Sequence, residues 1–244
     1  MPQSTFAADG TQFIDGVSQS YAPAGFWWVG TGYLGGSKSF VRRSLAAFDV
    51  FGPAASGRPL TPADTVTAAD LLLAYVSAIG PSGWNAMVDR IARADWDYAS
   101  ADWTHYKSGA LWTTAGGDVA TPPAPVAMTV APAGGEQVVP GMLAFVTDAM
   151  ALRGGRVLLR LRAVDEGPAE STWASYDAAL TSPTRPRLRV TYVATEPSPI
   201  ADDALPALRG ALPASAADAA RPARPADIAR TSVRALPRDK TRAD

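Results

Sequence analysis

The sequence predicts an all-β fold: an antiparallel β-sandwich that contains one short helix and is followed by an extended C-terminal tail. Three observations support this prediction. Short segments of alternating apolar and polar residues recur, Gly- and Pro-rich turns separate them about every ten residues, and only one segment has helical periodicity. After Tyr192 the alternation stops and Ala, Pro and Arg dominate. We therefore expect a β domain over residues 1–192, with an N-terminal arm over about 1–14, and a tail over 193–244.

The clearest strand is Arg187–Val193, which closes the predicted domain. Its side chains alternate with a period of two, as expected for a strand with one face on a core and one in water. The apolar face consists of Leu188, Val190 and Tyr192, and the polar face of Arg187, Arg189 and Thr191.

The remaining strands are predicted from the same alternation. Strand 40–50 is apolar on both faces at its centre, which is typical of a central strand in a sandwich. In strand 157–163 the apolar residues point inward, and Arg160 and Arg162 are expected to point into water. The other predicted strands cover 66–76, 84–92, 125–130 and 171–176, with short strands within 9–36.

One helix is predicted over residues 140–152. Pro140 suits the first helical turn, and Leu143, Val146 and Met150 form an apolar stripe at spacings of three and four. Gly154 and Gly155 can end the helix in the left-handed conformation.

Composition excludes several classes of function. The net charge is −1, so no overall field attracts nucleic acid or an anionic membrane. The chain has no Cys, which excludes disulfides, thiolate nucleophiles and Cys-bound metals. Residues 1–24 have neither a basic start nor an apolar run, so we expect no secretory signal. No apolar run is long enough to cross a bilayer as a helix.

The order of the segments resembles the DNRLRE-type domain, a jelly-roll module that is also grouped with carbohydrate-binding modules. The resemblance runs from about residue 15 to Tyr192 and depends on six motifs in the same order as in the family. They are Arg43-Ser-Leu-Ala-Ala-Phe-Asp49, Ala69-Asp-Leu-Leu-Leu-Ala-Tyr75, the loop from Trp96 to Trp103, Val146-Thr-Asp148, Gly155-Arg-Val-Leu-Leu159 and Arg185-Pro-Arg-Leu-Arg-Val-Thr-Tyr192. It implies an antiparallel jelly-roll β-sandwich and, as a function, saccharide binding without catalysis. The usual Ser-Arg-Glu patch of the family is replaced here by Ser175-Tyr-Asp177.

Few residues are candidates for catalysis or metal binding. His105 is the only histidine and has no second histidine as a partner, so a role in loop packing is favoured over a triad or a metal site. Asp95, Asp97 and Asp102 could flank a sugar or bind a structural Ca²⁺. The simpler interpretation is that they tie a long loop through side-chain hydrogen bonds. We expect no cofactor.

Aromatic residues are the best candidates for a contact surface. Trp27 and Trp28 are adjacent, so in a strand one of them must face away from the core, where it could contact a protein or a sugar ring. Trp173 and Tyr176 are further candidates. Trp96 and Trp103 are predicted to be core or loop anchors.

The tail contains two segments that could form short helices on a partner surface. Neither is long enough to be stable alone. Their candidate docking residues are Leu205, Leu208, Leu212, Arg224, Ile228, Arg230, Val233 and Arg234.

Two hypotheses from different classes follow. The first is a non-enzymatic structural subunit of a large assembly, with a phage-like virion favoured (capsid decoration, fibre or tail-associated), whose tail docks on neighbouring subunits. Its partners would be other structural proteins or further copies of the chain. The second is a carbohydrate-binding module for a surface or extracellular polysaccharide, located outside the cell or on its surface. Neither involves nucleic acid or a membrane, and an enzyme is the third choice.

Overall fold

The computed structural model describes residues 1–16, 21–22, 26–34, 37–80, 83–130, 135–167 and 171–195. These residues form fourteen strands and one helix, α1 (Leu143–Leu152). The strands are β1 (Gln3–Ala7), β2 (Gly10–Asp15), β3 (Tyr21–Ala22), β4 (Phe26–Leu34), β5 (Ser37–Asp49), β6 (Thr65–Ile79), β7 (Asn85–Arg90), β8 (His105–Lys107), β9 (Ala110–Leu111), β10 (Val126–Thr129), β11 (Gly135–Pro140), β12 (Arg156–Ala163), β13 (Thr172–Asp177) and β14 (Arg187–Val193).

Twelve of the strands form one continuous, curled antiparallel sheet, and β8 and β9 form a separate hairpin. The two longest strands organise the sheet because each pairs on both edges. Residues 44–47 of β5 lie between β2 and β12, while residues 37–42 pair with β4. Residues 70–72 of β6 lie between β11 and β14, and residues 75–79 contact β13. The predicted class, an all-β antiparallel sandwich with one short helix, is confirmed.

The main core lies inside this curled sheet. Alternate residues of the predicted strands meet there, including Phe48 of β5, Leu71 of β6 and Leu159 of β12, each at most 1% exposed. The closing strand β14 contributes Leu188, Val190 and Tyr192 as predicted. The helix α1 packs against β6 and β12 and contributes further apolar residues to this core. Each fully buried large side chain stabilises the fold by about 1.5–3 kcal/mol.

A second, smaller core lies on the opposite face of β5 and β12. Its sheet residues include Leu45 and Leu158, and the segment 92–119, here called the 92–119 loop, covers them with the ring of Trp112. Trp96 and Trp103 pack against this cluster, as predicted for loop anchors. The loop explains why both faces of β5 are apolar: one faces the main core and the other faces the loop.

The N-terminal residues correct one prediction. Residues 1–14, expected to form an arm, instead form β1 and most of β2. Strand β1 pairs with β14 and buries Phe6, while β2 pairs with β5 and buries Ile14. The sequence alternation here is short, and its apolar residues are buried by strands that lie more than 20 residues away along the chain.

The helix also differs from its prediction at the start. Pro140 ends strand β11 rather than opening the helix, which begins three residues later at Leu143. The buried residues of α1 are Phe145, Val146 and Ala149, whereas Leu143 is 37% exposed. The face of α1 that packs on the core is therefore rotated relative to the predicted stripe, and Val146 is the one residue of that stripe that is fully buried. Gly154 and Gly155 follow the helix with φ values of +58° and +82°, as predicted.

The chain divides into two units after Thr195. All the proposed docking residues of the tail lie outside the described residues. In the described part of the chain, no helix combines the length and apolar character that crossing a bilayer requires.

Candidate functional site

A group of aromatic and apolar side chains lies on the outer side of strands β4, β13 and β6. Trp28 and Trp173 are half-buried there, with ring centroids 4.7 Å apart and planes inclined by 42°. Phe26 and Ile79 flank them and are 43% and 52% exposed. Ile79 pairs directly with Trp173 across the sheet, and directly paired residues share a face. We call Phe26, Trp28, Ile79 and Trp173 the tryptophan face.

Arg42 on β5 supports the tryptophan face from one side. Its guanidinium carbon lies 5.0 Å from the ring centroid of Trp28 and 4.3 Å from that of Phe40. Its Nε donates to the buried carboxylate of Asp15 at 3.1 Å, which holds the guanidinium in place. A cation over an aromatic ring contributes about 0.5–2 kcal/mol, more when water is excluded. The Trp28 ring is therefore held in place in the folded protein, and a ring that is already ordered loses less entropy when an interface covers it.

Gly32 makes this arrangement possible. A Cβ atom at this position would lie 2.0 Å from a ring carbon of Phe40, so any larger residue would displace that ring. Phe40 would then lose its position beside Arg42.

Two predicted contact residues, Trp27 and Tyr176, are instead in the main core. Trp27 is 1% exposed and Tyr176 is fully buried, because both lie on the inner face of their paired strands. Burial raises the pKa of Tyr176, and its hydroxyl donates to Oε1 of Gln137 at 2.9 Å. Of the adjacent tryptophans, Trp28 is thus the outward one, and neither Trp27 nor Tyr176 can contact a ligand in this fold.

The three aspartates of the 92–119 loop bind different partners. Asp95 accepts from Lys107, Asp97 accepts from the hydroxyl of Ser100 at 2.7 Å, and Asp102 accepts from backbone amides of the next turn. These bonds hold the loop together, as the simpler interpretation predicted. Within the described residues, no group of three or more His, Asp or Glu side chains is placed to hold a metal ion.

His105 belongs to the same loop structure. Its Nδ1 lies 3.1 Å from the carboxylate of Asp102 and 2.8 Å from the hydroxyl of Thr104. All three residues belong to one turn, so these contacts fix the local geometry of the loop.

A second feature, which the sequence did not predict, is a cavity of about 640 Å³ between the 92–119 loop and the sheet. We call it the arginine cavity because Arg43, Arg93, Arg160 and Arg162 line it. Asp118, Thr113, Thr114, Gly117 and Val119 are among its other walls.

The arginines of the cavity are ordered by ion pairs. Arg43 forms a two-point contact with Glu166, with distances of 2.7 and 2.8 Å. Arg160 donates to Asp89 through Nε at 3.1 Å and Nη2 at 2.7 Å, and Arg162 donates to the same oxygen at 2.9 Å. The buried carboxylate of Asp89 therefore accepts hydrogen bonds from two guanidinium groups.

Arg160 also corrects a prediction, since it is 6% exposed rather than pointing into water. Burial lowers the pKa of its guanidinium, and the hydrogen bonds to Asp89 partly offset this effect. Its Nη1 donates to the carbonyl oxygens of Gly116 and Gly117, which anchors the 92–119 loop to β12. A signal was present in the sequence: Arg160 shares the strand face of Leu158, and a buried apolar neighbour indicates that this face is covered.

No protein-family model matches the chain, and no curated protein sequence matches it significantly. The class established by the fold is an all-β antiparallel sandwich. The resemblance to DNRLRE-type domains stays a prediction from sequence motifs.

Proposed function

We propose that the protein is a non-enzymatic interaction protein whose sandwich binds its partner through the tryptophan face. The observation that supports this proposal is the half-buried pair of Trp28 and Trp173, held in place by Arg42 and flanked by the exposed Phe26 and Ile79. Aromatic rings that are rigid and partly accessible contribute strongly to interfaces at a low entropy cost.

The first candidate is a structural subunit of a large assembly, with a phage-like virion as the favoured assembly. The sandwich would lie in the particle, and the tail would dock on neighbouring structural proteins or on further copies of the chain. The tail sequence supports this, because two short segments carry apolar residues. Those of the first, Leu205, Leu208 and Leu212, are spaced by three and four, and arginines lie among those of the second.

Limited trypsin digestion tests the docking of the tail. We expect rapid cleavage after Arg209, Arg230, Arg234 and Arg238 in the purified protein and protection at the same sites in the native assembly. Arg221 and Arg224 precede prolines and serve as internal controls that are cut slowly in both samples. Equally rapid cleavage in both samples, detected by mass spectrometry, would contradict docking.

The second candidate is a carbohydrate-binding module, located outside the cell or on its surface. The same two tryptophans favour it, because flat aromatic faces pack well against the apolar faces of sugar rings.

Saccharide binding can be tested with a matched pair of variants. Trp28→Ala is expected to weaken binding to a neutral polysaccharide at least about tenfold, or about 1.4 kcal/mol, because it removes one stacking ring. Tyr98→Ala is the control, since Tyr98 is a 45% exposed ring on the 92–119 loop, outside the tryptophan face. The measurements are affinity electrophoresis and calorimetry against xylan, laminarin and mixed-linkage β-glucan, with circular dichroism to confirm folding.

The results separate the two candidates. Loss of binding in Trp28→Ala alone supports the carbohydrate-binding module. No binding to any of these polysaccharides by the unaltered protein counts against it and leaves the assembly subunit as the proposal.

A further inference from the structure

We propose that the arginine cavity is a binding site for a small oxyanion ligand, a molecule that carries one carboxylate or sulfate group. This proposal does not rest on the function proposed above, because the cavity shares no residue with the tryptophan face.

The charges around the cavity do not balance among the described residues. Arg43 is paired with Glu166 and Arg93 with Asp118, so each of these pairs is neutral. Arg160 and Arg162 share the single carboxylate of Asp89. Among the described residues, these three side chains carry one positive charge in excess, and an uncompensated charge is costly beside Arg160, which is 6% exposed. A bound monoanion would neutralise it.

The positive groups beside the cavity are held in position by hydrogen bonds. Arg160 is fixed by Asp89 and by the carbonyl oxygens of Gly116 and Gly117. Arg162 is fixed through Nε to Asp89 and through Nη1 to the carbonyl of Ala163, yet its side chain is 26% exposed. A guanidinium presents a planar fork of donors that matches the oxygens of a carboxylate or sulfate, and holding it beforehand lowers the cost of binding.

The cavity is large enough for a small organic molecule. A volume of about 640 Å³ is far larger than one sulfate ion needs and lies within the range of small-molecule sites. The hydroxyl-bearing Thr113 and Thr114 and the apolar Val119 are among the residues that line it. The cavity therefore suits an organic acid of about the size of a sugar acid better than a free inorganic ion.

The arginines also have a structural role, because they tie the 92–119 loop to the sheet. Neutral ion pairs would be enough to tie the 92–119 loop to the sheet, and that structural role would not require a cavity beside the arginines. The excess charge of the Arg160, Arg162 and Asp89 triplet, together with the open volume, is what indicates a ligand.

Binding can be measured on the full chain by calorimetry and by thermal unfolding in a zwitterionic buffer of low ionic strength. The probes are sodium glucuronate, sodium acetate and sodium sulfate, with sodium chloride at the same ionic strength as the control. A ligand that binds only the folded state raises the melting temperature in a saturable manner. We expect saturation with the oxyanions and none with chloride.

The decisive variant is Arg162→Gln, which removes the excess charge but keeps the pair between Arg160 and Asp89. We expect oxyanion binding to weaken at least tenfold. Arg156→Gln is the matched control: it lies on the same strand, pairs with a single aspartate, Asp9, and does not line the cavity. It should bind like the unaltered protein. If Arg162→Gln proves unstable, Arg93→Gln, whose side chain is 40% exposed, provides a second test.

The outcomes are distinct. Tighter binding of glucuronate than of sulfate identifies a carboxylated organic ligand, whereas equal binding shows that the site recognises the oxyanion group alone. Equal effects of oxyanions and chloride, or unchanged binding in both Arg162→Gln and Arg93→Gln, would overturn the proposal. Trp28→Ala should not affect this binding, so failure here and failure of the proposed function are distinguishable.

Discussion

Gly30→Ala is expected to lower the free energy of unfolding by about 3–5 kcal/mol, since it combines backbone strain with a backbone clash. Gly30 has φ of +122°, a value that side-chain-bearing residues rarely adopt. A Cβ atom there would lie 2.1 Å from the carbonyl oxygen of Thr172 and 2.7 Å from the Cα of Trp173. Both are backbone atoms of the paired strand β13, so strands β4 and β13 would have to separate beside the tryptophan face.

Gly135→Ala provides a control with nearly the same φ. Gly135 has φ of +120°, but a Cβ atom there would meet no atom of the described residues within 4 Å. It should cost only about 1–2 kcal/mol, the strain of the positive φ alone. Urea unfolding followed by tryptophan fluorescence measures both variants. Equal destabilisation would show that the clash with β13 is relieved at no cost.

Asp89→Asn is expected to destabilise the protein by a similar amount, about 3–5 kcal/mol, because it leaves a buried charge unpaired. Asp89 is 3% exposed, and its Oδ2 accepts three hydrogen bonds from Arg160 and Arg162. Asparagine has nearly the same shape but no charge. Arg160, whose side chain is 7% exposed, would then have no carboxylate to balance it among its described partners.

The 92–119 loop should be affected first, because Arg160 holds its Gly116 and Gly117 carbonyls. We therefore expect faster amide hydrogen exchange at residues 92–119 in Asp89→Asn than in the unaltered protein. Asp9→Asn is the matched control, since it removes the partner of Arg156 in an ion pair in which both side chains are about 40% exposed. It should cost less than about 1 kcal/mol. Similar unfolding free energies for the two variants would refute the role assigned to Asp89.

The residues of the Arg43–Asp49 motif show why local sequence carried much of the fold. Phe48 enters the main core, Leu45 enters the second core, and Asp49 accepts from the backbone amides of Phe51 and Gly52 to close the following turn. Alternation of side chains and turn-forming residues are local properties, so they are visible in the sequence. For the same reason strands β5, β6, β12 and β14 were predicted within a few residues.

Other elements depended on neighbours that are distant in the chain. The alternation of β1 is only five residues long, and its pairing partner β14 lies more than 180 residues away. Strand β11 follows a Gly- and Pro-containing stretch and is recognisable only from its pairing with β6. In both cases backbone pairing with a distant strand, rather than local propensity, determines the structure.

For the candidate sites, the sequence by itself determined that one of Trp27 and Trp28 faces outward, because side chains alternate along a strand. Only the tertiary structure decided that it is Trp28, that Trp173 lies beside it, and that Arg42 supports it. It also decided that Arg160 and Arg162 share Asp89 beneath the 92–119 loop. The physical reason is that periodicity reports which side chains share a face of one strand, whereas the burial of that face depends on which distant segments pack against it.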